Sequence, residues 1–193
     1  MKWNDDKGFG FLKATEPCTK DYWAEYRELD KTPLGRVLTM VRIAMVYAFA
    51  DETKDWPVVD VGIGGGAFVD KCGDCYGTDI GKEALAWLEE HELLWDGESV
   101  PVMTFWDSLE HIENPGPLLA KATKLVYVST PIYRDQAHAR ASKHYKPNEH
   151  LWYFTDHGLH MFMREYGFKC VEQNEIETDA GREGIGSYVF KRA

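Results

Sequence analysis

A chain of 193 residues is long enough for one domain with a full core and too short for two ordinary ones. Its net charge of −10 argues against broad, unspecific adhesion to nucleic acid, which depends on neutralising phosphates. No apolar run approaches the roughly 20 residues that span a bilayer, and residues 1–7 are no signal peptide, so a single-domain cytoplasmic protein with no membrane partner is expected.

In chain order, the first 31 residues mix Trp3, Phe9, Phe11, Tyr22, Trp23 and Tyr26 with charges, which predicts an irregular lead-in and a short helix. From Pro33 onward, Leu34, Val37, Leu38, Val41, Met45 and Phe49 recur at three- and four-residue steps. This is an amphipathic helix ending near Ala50, so that 1–50 forms a helical lead-in. Trp56-Pro57 stops the approach and Val58 to Val61 reads as a buried strand. A second strand is expected at 75–80, then a helix after Gly81 through Leu85, Leu88 and Leu93. Residues 100–106 form the next strand, 118–123 lie in the helix after it, and 125–129 form a strand closed by Thr130-Pro131. Residues 132–150 read as a long polar loop or lid. Thr155-Asp156-His157-Gly158 caps a helix running to Tyr166 and ending at Gly167. Segments 168–172 and 186–191 pair as a closing antiparallel hairpin around an irregular 173–185. Alternating strands and helices give an α/β, doubly wound, Rossmann-like sheet. It is mostly parallel with an antiparallel C-terminal hairpin and helices on both faces, and its ligands sit at the carboxyl ends of the strands.

The most informative stretch is Val58-Val59-Asp60-Val61-Gly62-Ile63-Gly64-Gly65-Gly66-Ala67. Its glycines turn the chain tightly, bring bare backbone against a ligand and feed the positive end of a helix toward it. Gly62, Gly64 and Ala67 also satisfy the dinucleotide pattern G-x-G-x-x-A, so the loop alone fits more than one nucleotide-like cofactor. Asp79, 19 positions after Asp60, stands where such a sheet places a carboxylate to accept hydrogen bonds from ribose hydroxyls.

Together these residues resemble the class I S-adenosylmethionine-dependent methyltransferases. Residues 59–66 look like their first motif, Gly77-Thr78-Asp79-Ile80 like the second, and Phe105-Trp106-Asp107-Ser108-Leu109-Glu110-His111-Ile112 like the fourth-strand motif of ubiquinone-type O-methyltransferases. The similarity runs from about Arg42 to Phe168. It implies S-adenosyl-L-methionine held by Arg42, Asp60, Gly62, Ile63, Gly64, Gly66, Asp79, Ile80, Phe105 and Trp106, with Arg42 reaching the cofactor carboxylate. One departure is the stretch from His91 to Val100, which shows neither the usual third strand nor a good adenine-side acid; Asp96 is a poor candidate.

Asp107, Glu110 and His111 form D-x-x-E-H directly after a strand, an oxygen-and-imidazole set that suits Mg, Mn or Zn. A similar E-x-x-E-H marks two metal-assisted branches of the resembled family, the ubiquinone O-methyltransferases and the small-RNA 3′-terminal 2′-O-methyltransferases. The RNA branch adds a histidine five residues before a threonine, a spacing that His150 and Thr155 reproduce. The implied metal ligands are therefore Asp107, Glu110, His111 and His150. The alternative is that Glu110-His111 merely caps the following helix. Without a metal, His111 or His150 is the candidate general base; His144 and His157 are lesser ones.

The expected reaction is methylation of a hydroxyl on a small molecule or a nucleic-acid end. Amino-group DNA methylation is disfavoured because Trp106-Asp107-Ser108 stands where a Pro-Pro motif belongs, and cytosine-C5 methylation because Pro17-Cys18 precedes the glycine loop. Competing readings are a nicotinamide oxidoreductase, which lacks room for a substrate domain, and a non-catalytic cofactor-binding module. Cys72 and Cys75 form a C-x-x-C that reads as a turn before a strand more readily than as a zinc or redox pair, and with Cys18 and Cys170 they make no secreted disulfide framework. Arg134, His138, Arg140, Lys143, His144 and Lys146 form a basic cluster, either a solvated loop or a phosphate-reading surface. Gly181-Arg182-Glu183 is distinctive but suggests no role.

Overall fold

The computed structural model describes residues 1–15, 22–49 and 56–193. The chain opens with a hairpin, β1 (Lys2–Asn4) and β2 (Phe9–Phe11), followed by α1 (Trp23–Lys31) and α2 (Pro33–Tyr47). Next come β3 (Val58–Val61), α3 (Ala67–Lys71), β4 (Cys75–Thr78), α4 (Lys82–Glu90) and β5 (Val100–Trp106). A 3-10 turn (Leu109–His111), α5 (Gly116–Leu119), β6 (Ala122–Pro131), α6 (Gln136–Ala141) and β7 (Trp152–Phe154) follow. The chain closes with α7 (Asp156–Glu165), β8 (Phe168–Asn174), α8 (Ile176–Asp179) and β9 (Ile185–Arg192).

Six strands make the main sheet in the order β4-β3-β5-β6-β9-β8. β4, β3, β5 and β6 are parallel, while β9 runs antiparallel between β6 and β8. This is the doubly wound α/β sheet with its antiparallel C-terminal pair that the strand–helix alternation implies. Outside β4, a third parallel strand is reduced to one isolated bridge between Gly77 and Leu94.

Strand periodicity explains the layering. Successive side chains point to opposite faces, so β5 sends Met103 and Phe105 to one side, where Leu159, Phe162 and Met163 of α7 cover them. Val102 goes to the other side, against Ile43, Met45 and Val46 of α2 and Leu88 of α4. Both helices start at a cap. Thr32 accepts from Gly35 N ahead of Pro33, and Thr155 accepts from Gly158 N, each satisfying one free N–H of the first turn.

Several expectations are corrected. The lead-in is not simply helical: β1 and β2 pair with β7 in a second, three-stranded sheet. Its aromatics have a partner, because Phe9 packs on Trp152, Phe154 and Phe162. Val37 of the α2 stripe is 46% exposed, while Thr39 is buried; the helix is rotated from the expected face. The helix expected at 118–123 is only Gly116–Leu119, since Ala122 already joins β6 and aligns with Val100. β6 also continues through Thr130 and Pro131, which pair with Gly186 and Ile185. Residues 132–150 are no free lid: they contain α6, capped by Asp135 Oδ1 accepting from His138 N. Tyr133 N donates to Phe154 O and Leu151 N to Glu110 O, tying down both ends. The expected helix end at Ala50, and Cys18, lie outside the described residues. Among the described residues, no helix is long and apolar enough to cross a membrane.

Candidate cofactor and metal site

The carboxyl ends of β3, β4 and β5 meet at one edge. β3 runs straight into the glycine turn, where Gly62, Gly64 and Gly66 adopt φ of 80°, 57° and 83°, a region that side chains with a Cβ rarely enter. Gly65 is needed for a different reason: a Cβ there would strike Asp30 Oδ2 and the Tyr26 carbonyl. α1 lies across the loop, with Arg27 Nη1 donating to Gly65 O at 3.1 Å and the Tyr26 ring standing over Gly64. Sequence periodicity gave no sign of this contact, because α1 has no buried residue from which to read a face.

Asp60 is 1% exposed and accepts from Thr104 Oγ1 at 2.6 Å; burial pushes its pKa up to about 7. It is thus part of the sheet interior beneath the loop. Asp79 follows β4, its Oδ1 accepting from Gly81 N at 2.8 Å, and the next side chain, Ile80, is 96% exposed. A carboxylate and a bare apolar side chain side by side at the strand end suit a ribose and a flat base. Ile63 and Phe105 are 5% and 0% exposed, their side chains inside the two core layers, so that only their backbone is left for a ligand. Trp106 is likewise walled in, edge-on to Phe68 and beneath the Arg42 guanidinium.

Of the four expected metal ligands the structure brings together three. Glu110, His111 and His150 each offer a ligand atom, all within 4.8 Å of one another. β7, braced by the N-terminal hairpin, delivers His150, and the 3-10 turn after β5 delivers the other two; the imidazoles meet edge-on at 4.6 Å. Glu110 is 1% exposed; the Thr130 hydroxyl and its own backbone N–H lie close enough to pull its pKa down, yet among the described residues neither carboxyl oxygen makes a hydrogen bond of good geometry. Burial, reinforced by the Asp107 charge, pushes its pKa up to about 8. Burial also pushes His150 down to about 3, helped by His111 and Lys146, and lowers His111. So weak a base as His150 cannot hold a substrate proton near neutrality, which favours a ligand role over a general-base role. A buried carboxyl group beside two imidazoles is an oxygen-and-nitrogen set that fits a divalent cation, whose charge would displace the carboxyl proton.

Asp107 is the exception. It stands at φ 57° just past β5 and is held by Arg42 Nη2 at 2.8 Å and by Arg182, Nη1 at 2.5 Å and Nη2 at 3.0 Å. Both arginines also grip Glu177, which is 0% exposed and accepts from Ser129 Oγ at 2.6 Å. Burial alone would raise the Asp107 pKa, but Arg182 and Arg42 override it and hold it below the usual carboxylate range. Arg42, expected at a cofactor carboxylate, is thus engaged by two protein carboxylates. Nothing in the sequence marks Glu177, and Gly181-Arg182-Glu183 stands out there without a role, because the stretch is aperiodic and nothing in it distinguishes a buried charge from a solvated one.

The basic cluster is partly neutralised, with Lys143 paired to Glu183 and Lys146 to Glu149. His144 Nε2 lies 3.0 Å from Glu183 O, and His157 is exposed on α7. Cys72, Cys75 and Cys170 are free thiols.

A family model described as a methyltransferase domain matches residues 38–173. No curated protein matches the sequence. Among solved structures, a possible histamine N-methyltransferase from Thermotoga maritima shares 12% identity over 88% of this chain and 96% of its own, with a TM-score of 0.58. The 1,6-didemethyltoxoflavin-N1-methyltransferase of Burkholderia thailandensis, solved with S-adenosylhomocysteine, shares 15% over 96% and 95%, with a TM-score of 0.56. Magnesium protoporphyrin IX methyltransferase from Synechocystis shares 11% over 92% and 90%, with a TM-score of 0.55.

Proposed function

This chain belongs to the methyltransferase-domain family, and from that premise we propose that it uses S-adenosylmethionine to methylate a hydroxyl of a small molecule or a nucleic-acid end, with a divalent cation at Glu110, His111 and His150. The cofactor part of the reading is supported by the glycine turn, with Asp79 and the bare Ile80 beside it. The observation that carries the metal part is the convergence of the buried Glu110 carboxyl group with His111 and His150, their ligand atoms all within 4.8 Å of one another.

In this reading Asp79 accepts the ribose hydroxyls and the loop backbone from Gly62 to Gly66 lies against the methionine part. A divalent cation held by Glu110, His111 and His150 would supply Lewis acidity that lowers the pKa of an acceptor hydroxyl; with that proton lost to solvent, the oxygen forms the O–CH3 bond as the S–CH3 bond breaks and S-adenosylhomocysteine leaves. Glu110 and His150 come from separate elements tied by the Leu151 N to Glu110 O bond, which holds these two candidate ligands in a fixed relation.

A mass-shift screen of phenols, sugars and RNA 3′ ends, run with S-adenosylmethionine and Mg²⁺, Mn²⁺ or Zn²⁺ and repeated with EDTA, tests it. A gain of one methyl that EDTA and Glu110→Ala abolish supports the reading. Transfer insensitive to both sinks the metal part, and tighter binding of NAD than of S-adenosylhomocysteine sinks the whole.

A further inference from the structure

Ser108 carries a hydroxyl that the fold does not use. It stands at the N-cap of the 3-10 turn, a position where serine ordinarily accepts from a free N–H of the first turn, yet its side chain makes no such bond. The residue is 8% exposed, and among the described residues its Oγ has no hydrogen-bond partner. Leaving a buried hydroxyl unpaired is costly, so such a group marks a place where a partner from outside the chain belongs.

The neighbours of Ser108 set where that place is. Asp107 N donates to Ser129 O, and the Asp107 carboxylate is gripped by Arg42 and Arg182, which holds Asp107 at φ 57° and carries the chain over the end of β3. Ser108 thereby packs on the glycine loop: a Cβ on Gly62 would lie 2.8 Å from Ser108 Cβ and 3.4 Å from its Oγ. The Gly62 N–H is already spent, because it donates to Thr78 O at 2.8 Å. At this end of the loop it is the serine hydroxyl, rather than the Gly62 backbone donor, that is left to hold a ligand.

Strand order says which part of the ligand reaches it. β4, β3 and β5 lie side by side, so the ends that carry Asp79 and Ser108 are two strand spacings apart, about 10 Å, with the glycine turn between them. An S-adenosyl ligand with its ribose at Asp79 and its sulphur past the turn brings its third part, the amino acid, to the β5 side. A hydroxyl suits that end, since it can accept from an ammonium or donate to a carboxylate. We propose that Ser108 Oγ binds the amino-acid end of S-adenosylmethionine. This rests on the cofactor reading above and adds to it a side chain that distinguishes the whole cofactor from its adenosine part.

Calorimetric titration of the full chain with S-adenosylhomocysteine and with 5′-methylthioadenosine, which keeps the adenosine and the sulphur but lacks the amino acid, tests this in wild type, Ser108→Ala and Asp79→Ala. Ser108→Ala raises the dissociation constant of S-adenosylhomocysteine about tenfold, the loss of one hydrogen bond to a charged group, and leaves that of 5′-methylthioadenosine within about twofold. Asp79→Ala weakens both ligands by a similar factor. The ligand-free melting temperature of Ser108→Ala stays level or rises, because the hydroxyl removed had no partner; a clear fall shows a bond within the protein and overturns the inference. An unchanged affinity of Ser108→Ala for S-adenosylhomocysteine overturns it too, leaving the hydroxyl to a water molecule, as does an equal loss for both ligands, the mark of a merely structural serine. These results leave the cofactor reading intact so long as wild type binds S-adenosylhomocysteine and Asp79→Ala weakens it. Failure of wild type to bind S-adenosylhomocysteine overturns both. Should Ser108→Ala not fold, Ser108→Cys, near in size and a poorer hydrogen-bonding group, decides by the same selective loss.

Discussion

Replacing Asp60 by Asn should change stability in a way that depends steeply on pH. The side chain is 1% exposed beneath the glycine turn, with one hydrogen bond from Thr104 Oγ1 at 2.6 Å. Burial outweighs that bond and the pull of Arg42, pushing the pKa up to about 7 against 3.8 for the free group. Between those values the folded protein keeps a proton that the unfolded chain has released, so this site's contribution to stability falls as pH rises through the window. Single-site linkage makes the loss between pH 5 and pH 8 about 2.5 kcal/mol. Asn retains an acceptor for Thr104 and never ionises. Urea unfolding followed by tryptophan fluorescence should therefore show Asp60→Asn gaining about 2.5 kcal/mol on wild type between pH 5 and pH 8. Subtracting the two proteins cancels every group they share. A difference flat to within about 0.5 kcal/mol, the ordinary error of additivity, would refute the claim that burial keeps Asp60 protonated up to about pH 7.

Three further substitutions separate the parts of the account. Glu110→Gln keeps the shape of the buried side chain but removes its charge, so Mn²⁺ binding by calorimetry should disappear while the melting temperature at pH 8 stays level or rises. Glu177→Leu leaves two arginines with one carboxylate; breaking such a buried network should cost about 3–5 kcal/mol in urea unfolding, and a loss under about 1 kcal/mol would mean the network is not closed. Thr155→Ala removes the side-chain bond to Gly158 N at the start of α7 and should cost about 1 kcal/mol, read by thermal unfolding.

What the sequence made legible were the elements whose signals are local. Val58–Val61 and Val100–Trp106 are apolar runs bounded by turn residues, and their limits match the strands observed. α7 was legible because Thr155 and Gly167 punctuate both ends of an amphipathic run. The β1–β2 hairpin was not, because three-residue strands exist only through their pairing with β7, some 140 residues away. The same reason hid half of the site. Glu110 and His111 could be read from one turn, but what Asp107 does depends on Arg182, which is 75 residues away. Asp107 resembles a metal ligand by position, and only its two arginine partners show it to be otherwise engaged.

The central claim is that the turn from Gly62 to Gly66, with Asp79, holds S-adenosylmethionine. Calorimetric titration of S-adenosylhomocysteine and, separately, of NAD into wild type and Asp79→Ala addresses it directly. The account predicts one S-adenosylhomocysteine bound per chain, a loss of about ten- to a hundredfold in Asp79→Ala as the hydrogen bonds to a carboxylate disappear, and no competitive binding of NAD. Absence of S-adenosylhomocysteine binding in wild type, or equal affinity in Asp79→Ala, would contradict it.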